Sequence, residues 1–215
     1  MKRTLLWLMM ALLLFAVSGC GGGNDEPRFV QKTILSDPDV DGDILDSAGI
    51  RTVSLVTRDG LSAIRAGLVP GSSDEYRAFI DFPLTVIPLN AVIQSATLSI
   101  VIRSVTVVPP TATIPIRIEL VSFDPFLTPP LIGNYFDRAI LLPLATTTIV
   151  PPISSTDVNR EVNIDVTSLM VEAQRRGEPD FQVRLLEDFG VVTPGLVEID
   201  ESSDANAPQL TVVYF

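Results

Sequence analysis

The sequence predicts an all-β fold, a two-sheet antiparallel β-sandwich of the jelly-roll kind with one short helix near 166–176. Three observations predict it. Apolar and polar residues alternate with period two over many short stretches, seventeen prolines interrupt them, and only one stretch carries helical periodicity.

The chain opens with something other than a strand. Lys2 and Arg3 precede an almost unbroken apolar run from Leu5 to Val17, which closes on Val17-Ser18-Gly19-Cys20. A short apolar core behind positive charge, ended by small residues, reads as a secretory leader over 1–19 rather than a membrane span. Val-Ser-Gly-Cys resembles the bacterial lipobox, in which cleavage leaves the cysteine as a lipid-bearing amino terminus. The plainer alternative is an ordinary leader with an incidental cysteine. Cys20 is the only cysteine in the chain and sits at the cleavage point, so lipidation at Cys20 is the expectation. The string GGGNDEP at 21–27 offers little to pack, so 20–27 is read as lipidated cysteine plus linker, and 28–215 as a single domain. Such a lipid anchors a domain to a membrane without spanning it. Gly21, rather than aspartate, follows the cysteine. Resemblance to the Gram-negative sorting pattern then implies the outer membrane, with the domain facing the periplasm or the cell surface.

The strands follow in order. In YRAFIDF, Tyr76, Ala78, Ile80 and Phe82 share one face, against Arg77, Phe79 and Asp81. In ATLSIVIRSV, Ala96, Leu98, Ile100 and Ile102 oppose Thr97, Ser99, Val101 and Arg103. In IPIRIEL, Ile114, Ile116, Ile118 and Leu120 oppose Pro115, Arg117 and Glu119. Each pattern predicts a strand with one buried face. Residues 52–58, 63–68, 181–187, 196–200 and 209–215 complete the set. The proline pairs at 109–110, 129–130 and 151–152 mark loops and strand ends, because proline lacks the amide that a central strand needs. Residues 120–152 are proline- and threonine-rich and carry no clear pattern. In DVTSLMVEAQRRG, Val166, Leu169, Met170 and Ala173 fall on one helical face. Asp165 or Thr167 is placed to cap, Glu172 and Arg176 stand at i and i+4, and Gly177 ends the helix.

Composition narrows function. Without Lys2 and Arg3, thirteen basic residues remain against twenty-six acidic ones. That balance argues against nucleic acid, or any polyanion met over a broad surface such as alginate, as a partner, and leaves room only for a local basic patch. Histidine is absent, which removes Ser-His-Asp and Cys-His nucleophile systems and histidine zinc sites. A carboxylate-pair hydrolase needs only two acids at the right separation, and among twenty-six candidates no pair stands out. The single tryptophan, Trp7, lies in the leader.

One acidic stretch, SDPDVDGDILDS at 36–47, raises the question of calcium. Asp37-x-Asp39-x-Asp41-Gly42 matches the opening of an EF-hand loop, with alternating oxygen ligands before a turn glycine. The twelfth position is Ala48 rather than glutamate, and no amphipathic helix flanks the loop. A looser extracellular-type site built from Asp37, Asp39, Asp41, Asp43 and Asp46 is one reading. A solvated acidic turn is the other. Calcium is the only cofactor the sequence suggests.

Four stretches taken together resemble the DNRLRE-domain proteins, jelly-roll modules similar to certain carbohydrate-binding modules. They are YRAFIDFPLTVIPLNAVIQSATLSIVI, VNIDVTSLMVEAQ, FQVRLLE and ESSDANAPQLTVVYF, in that order, spanning most of 76–215. The hexapeptide that names the family is absent; Asn159-Arg160-Glu161 is the nearest echo. The resemblance implies the sandwich fold and a glycan as ligand class. Three functions follow as expectations. The first is a lipid-anchored, non-enzymatic envelope sandwich presenting a binding or structural surface to a glycan or to envelope proteins. The second is a calcium-assisted carbohydrate-binding module, with Tyr76, Arg77, Tyr135 and exposed phenylalanines as its ligand-binding residues. The third is a carboxylate-pair polysaccharide hydrolase or lyase. Arg77 and Asp81, on one strand face, serve equally as ligand groups or as cross-strand partners of Glu119 or Arg103.

Overall fold

A computed structural model describes residues 28–188 and 194–215. The leader, Cys20 and the linker lie outside the described residues. Within them the fold is an all-β sandwich with antiparallel pairing throughout and one helix of substance. The strands are β1 (Val30–Leu35), β2 (Gly42–Ser47), β3 (Ile50–Leu55), β4 (Ala63–Leu68), β5 (Glu75–Pro83), β6 (Ile93–Val107) and β7 (Thr113–Ile114). They continue with β8 (Ile116–Val121), β9 (Ala145–Thr148), β10 (Ile153–Ser154), β11 (Arg160–Asp165), β12 (Asp180–Glu187), β13 (Gly195–Asp200) and β14 (Gln209–Tyr214). Helix α1 (Val56–Asp59) is a single turn, and α2 (Thr167–Arg176) is the predicted helix.

One layer runs β3–β2–β5–β12–β8–β9, and the other runs β1–β14–β6–β11. The two are hydrogen-bonded into one curled sheet through β13 and β4, which lead from β6 to β5. The fifteen-residue β6 makes this possible. Its first half, Ile93–Ser99, pairs with β14, and its second half, from Ile102, pairs with β13. Irregular register at Glu198/Ile199, opposite Ser104 and Ile102, accompanies the handover, as expected where a sheet bends. A second irregularity, at Val213/Tyr214, lies at the start of β6.

The core lies between the layers. It takes Ala78, Ile80 and Phe82 from β5, Ile116, Ile118 and Leu120 from β8, and Phe181, Val183 and Leu185 from β12. Opposite them stand Leu98, Ile100 and Ile102 of β6 and Leu210 and Val212 of β14. Leu169, Met170 and Ala173 of α2 close one end. The helix ends at Gly177 in the left-handed conformation, and Glu172 pairs with both Arg175 and Arg176. Asp165 Oδ1 accepts from the Thr167 amide, so the expected aspartate satisfies a first-turn donor although Val166 occupies the cap position.

Several expectations are corrected. The 52–58 strand stops at Leu55, because Val56–Asp59 turn into α1. Pro115 splits the 114–120 strand into β7 and β8, as its missing amide requires. The acidic stretch is half loop and half strand, since β2 begins at Gly42. The first proline of each predicted pair, at 109, 129 and 151, follows a cis peptide bond.

The largest correction concerns burial. Strands β5, β8 and β12 are buried on both faces. Residues 122–144, the proline-rich stretch without a pattern, lie over the outer face and insert Phe123, Leu131, Phe136 and Leu141 against Phe79, Val121 and Ile44. The domain therefore has a second, smaller core outside the sandwich.

Candidate functional site

The outer face of β5, β12 and β8 presents Arg77, Asp81, Gln182, Arg184 and Glu119 to the covering segment. Buried there, each must find a partner or carry a large desolvation cost. Register decides the partners: Arg184 stands opposite Glu119, and Gln182 opposite Asp81. Arg184 donates to Glu119 Oε2 from Nη2 at 2.6 Å and from Nε at 3.0 Å. Its remaining donors reach the carbonyls of Tyr135, at 2.8 Å, and Leu141, at 3.1 Å. Gln182 accepts from the Phe123 amide at 2.7 Å and donates to Asp81 Oδ1 at 2.8 Å. Arg77 donates to Glu75 and to the Phe136 carbonyl. Arg77 thus meets Glu75 and the Phe136 carbonyl, and Asp81 meets Gln182, where the sequence suggested Glu119 or Arg103; the sheet face serves to fasten the segment above it.

At the edge of that segment the fastening opens into a hollow of about 320 Å³, lined by Arg51, Arg77, Phe136, Asp137 and Arg138. The Phe136 ring is its floor, with the Arg77 guanidinium carbon 3.9 Å and that of Arg51 5.2 Å from the ring centroid. Arg138 Nη2 lies 2.6 Å from Glu119 Oε1, while its buried Nε makes no hydrogen bond. Burial lowers the Arg184 guanidinium from its ordinary value; Glu119 opposes this, and the like charges of Arg77 and Arg138 add to it. The Arg51 and Arg77 guanidinium groups meet the Phe136 ring, and Arg138 and Asp137 complete the lining. The three arginines pair with Asp46, Glu75 and Glu119 respectively, so an outside carboxylate would share those guanidinium groups with the chain's own acids. Arg77 was legible in the sequence as a ligand candidate. Arg51, Phe136 and Arg138 were not, because they come from a hairpin and from the unpatterned segment.

The tyrosines do not share this site. Tyr76 lies on the opposite face of β5 from Arg77, its hydroxyl accepting from Arg65 Nη1 at 3.1 Å and its ring 4.3 Å from the Arg65 guanidinium carbon. Tyr135 stacks at a tilt on Phe123, centroids 5.5 Å apart, and burial raises its hydroxyl pKa. Phe126 is the most exposed ring among the described residues.

The five aspartates are drawn apart. Asp37 Oδ1 accepts from the Asp39 amide, closing a local turn. Asp43 is buried against Arg65, with Nε to Oδ2 at 2.9 Å, and Asp46 pairs with Arg51 at 3.3 Å and caps the Gly49 amide. Asp41 is fully buried and accepts from the Asp81 amide at 2.7 Å. Among the described residues, no three acidic side chains converge to hold a metal ion.

A different acid cluster appears instead. Asp41 faces Glu201, 160 positions away in sequence, and the Ser36 hydroxyl lies beside Asp41, where it opposes the rise in its pKa; Glu201 Oε1 is buried without a hydrogen-bond partner. Burial, reinforced by Glu201, raises Asp41 well above the carboxylate range. Burial and then Asp200 push Glu201 up to about 8, and burial pushes Asp81 up to about 7. At neutral pH Glu201 therefore favours its protonated form, and Asp81 is divided between its two forms.

No protein-family model and no curated protein matches this chain.

Proposed function

We propose that this chain is a lipid-anchored, non-enzymatic protein of the cell envelope, whose sandwich presents the arginine hollow over Phe136 to a carboxylate-bearing glycan. The hollow carries the proposal: Arg51 and Arg77 meet the Phe136 ring and Arg138 completes the lining, a local concentration of guanidinium groups on a domain that is otherwise strongly acidic. Overall charge repels a polyanion at long range. At physiological salt, however, fields beyond roughly 8 Å are screened, so local guanidinium groups govern a bound carboxylate. The leader ending in Val-Ser-Gly-Cys20 supports the anchor. The proposal extends to a DNRLRE-type module, on the four stretches that resemble that family.

A non-enzymatic role is supported by the fate of the acids. A glycosidase needs two carboxyl groups across an open cleft, about 5 to 9.5 Å apart. Folding brings together Asp41 with Glu201, both buried, and Asp81 with Asp37 and Asp180, of which Asp81 is buried as well.

The test is binding of the Cys20→Ser chain, produced without its leader, to a panel of polyuronates and neutral polysaccharides, in calcium and then in chelator. Saturable binding to polyuronates alone, lost in Arg51→Ala/Arg138→Ala, supports the hollow. Binding that disappears in chelator transfers the role to calcium at the acidic loop. Equal binding of neutral glycans, or none at all, removes the carboxylate ligand and leaves a structural or protein-binding surface.

A further inference from the structure

The described chain begins at Arg28, and an exposed apolar surface begins with the next residue. Phe29, 59% exposed, sets its ring edge-on to Phe215 with centroids 5.6 Å apart. Phe215 in turn exchanges both backbone hydrogen bonds with Val92. Val92 lines a hollow of about 410 Å³ together with Leu89, Val171, Gln174 and Arg175. Leu89 is 82% exposed and Val92 53%, with Val171 and Phe215 also exposed. The patch therefore runs from Phe29, across the β14 terminus and the β5–β6 loop, to the outer face of α2, with Asn90, Gln174 and Arg175 among its apolar residues. Leu89 also edges an apolar groove of about 230 Å³ beneath the same loop, lined by Leu84, Ile87, Pro88 and Met170.

We propose that this patch docks on the lipid bilayer, setting the orientation of the domain on the membrane. The inference rests on the lipid anchor at Cys20. Eight residue steps separate Cys20 from Arg28, and a fully extended chain covers at most about 28 Å over that length. A domain of this size is about 40 Å across, so the pole that carries Phe29 cannot turn away from a bilayer to which Cys20 is attached. The tether thus holds the apolar patch at high local concentration against the interface, where weak burial of a few side chains suffices. Phenylalanine, leucine and valine are side chains that enter the headgroup–acyl boundary. Arg28 adjoins Phe29 and puts one basic group at the edge of the patch, while Arg175 lines the hollow paired with Glu172, so the apolar side chains rather than charge carry the docking. Opposite this pole, the β2–β3 hairpin turn carries Ile50, 72% exposed; β5 runs from the hairpin's end at Glu75 to the patch's end at Pro83.

The processed chain contains no tryptophan, because Trp7 lies in the leader, so a single introduced tryptophan reports its own surroundings. Leu89→Trp and Ile50→Trp are made in the full chain, expressed in a bacterial host and purified as the membrane-extracted protein. Each is reconstituted into phosphatidylethanolamine–phosphatidylglycerol vesicles with and without brominated acyl chains, and the mass of the amino-terminal peptide is measured. The expected result is acylated Cys20, blue-shifted and bromine-quenched emission at Leu89→Trp, and water-like, unquenched emission at Ile50→Trp. Acylation with water-like emission at Leu89→Trp overturns docking and leaves the anchor standing. An unacylated amino terminus overturns the anchor, and docking with it. A blue shift that needs protein concentration but no vesicles assigns the patch to a second copy of the chain and overturns docking as well.

Discussion

Arg184 and Glu119 are joined by two hydrogen bonds, at 2.6 and 3.0 Å, in a place solvent does not reach. The pair stands directly in register on β12 and β8, and it also holds the segment above through the carbonyls of Tyr135 and Leu141. A buried ion pair is costly to form and costlier to halve.

Removing one partner is therefore expected to cost about 3–5 kcal/mol. Glu119→Ala leaves Arg184 charged, buried and without its carboxylate, and should lower the urea midpoint accordingly. The double variant Glu119→Leu/Arg184→Met restores an apolar face and should recover much of that loss. Residues 122–144 should still be cut faster by protease in the double variant, because their carbonyl anchors are gone. Equal cleavage rates in the double variant and the wild type would show that the apolar contacts of Phe123, Leu131 and Phe136 hold the segment unaided.

Stability should fall from pH 5 to pH 8. Glu201 rises from 4.5 to about 8 on folding and Asp81 from 3.8 to about 7, with Asp41 moving in the same direction. Folding takes up protons across those windows, so the contribution is complete below the unfolded values and is lost as pH rises through the folded ones. Glu172, pulled down to about 2 by Arg175 and Arg176, acts in the opposite sense but only below pH 4.5. Urea titrations at a series of pH values check this. Glu201→Gln, which keeps a neutral side chain, should flatten the slope above pH 5; an unchanged slope would mean that Glu201 does not titrate there.

Arg51→Ala separates binding from folding. Its pair with Asp46 is partly exposed, so the stability change should stay within about 0.5 kcal/mol. Loss of one charged donor to a carboxylate should weaken polyuronate binding about tenfold. Calorimetry and a thermal scan on the same sample measure both quantities, and a variant that binds as well as wild type would remove Arg51 from the site.

Calcium should leave the melting temperature unchanged. Asp43, Asp46 and Asp41 each have other partners, and no three acids converge among the described residues. A site of extracellular strength at about ten times its Kd would add about 1.4 kcal/mol, a rise of several degrees for a chain of this length. A rise of that size in millimolar calcium, reversed by chelator, would restore the acidic loop as a metal site.

Gly67 tests the junction of the two layers. It has φ +115°, and a Cβ there would overlap the Gly195 carbonyl oxygen across the β4–β13 ladder. Gly67→Ala combines backbone strain with a clash against main chain and should cost about 3 kcal/mol. A thermal scan within a degree of wild type would show that the ladder can part locally.

Much of the fold was legible because a strand with one buried face writes period two into its own residues. Residues 63–68, 181–187 and 196–200 matched β4, β12 and β13 to within a residue at each end, and α2 began one residue after its predicted start. Strands β1, β2, β9, β10 and β11 were missed; β11 does alternate, Val162 and Ile164 against Asn163 and Asp165, but it is short and runs directly into the helix. Strand β1 buries a single residue, Ile34, and β9 is an ATTT edge, so neither carries an alternating signal. The double burial of β5, β8 and β12 was invisible for the converse reason: their outer residues are charged or mixed, and the apolar residues that cover them are irregularly spaced over 122–144.

The sequence by itself determined the β class, the place of the helix, the acidic balance and the absence of histidine chemistry. These depend on residue type and on spacing within a few positions. Tertiary structure alone decided which polar groups meet. Arg184 found Glu119 across 65 positions and Arg77 found Phe136 across 59, and four of the five neighbouring aspartates, Asp37, Asp41, Asp43 and Asp46, were sent to different partners. Those contacts follow from strand register and from a patternless segment folding back over the sheet. Burial then forced each charge to take whichever partner the register set beside it.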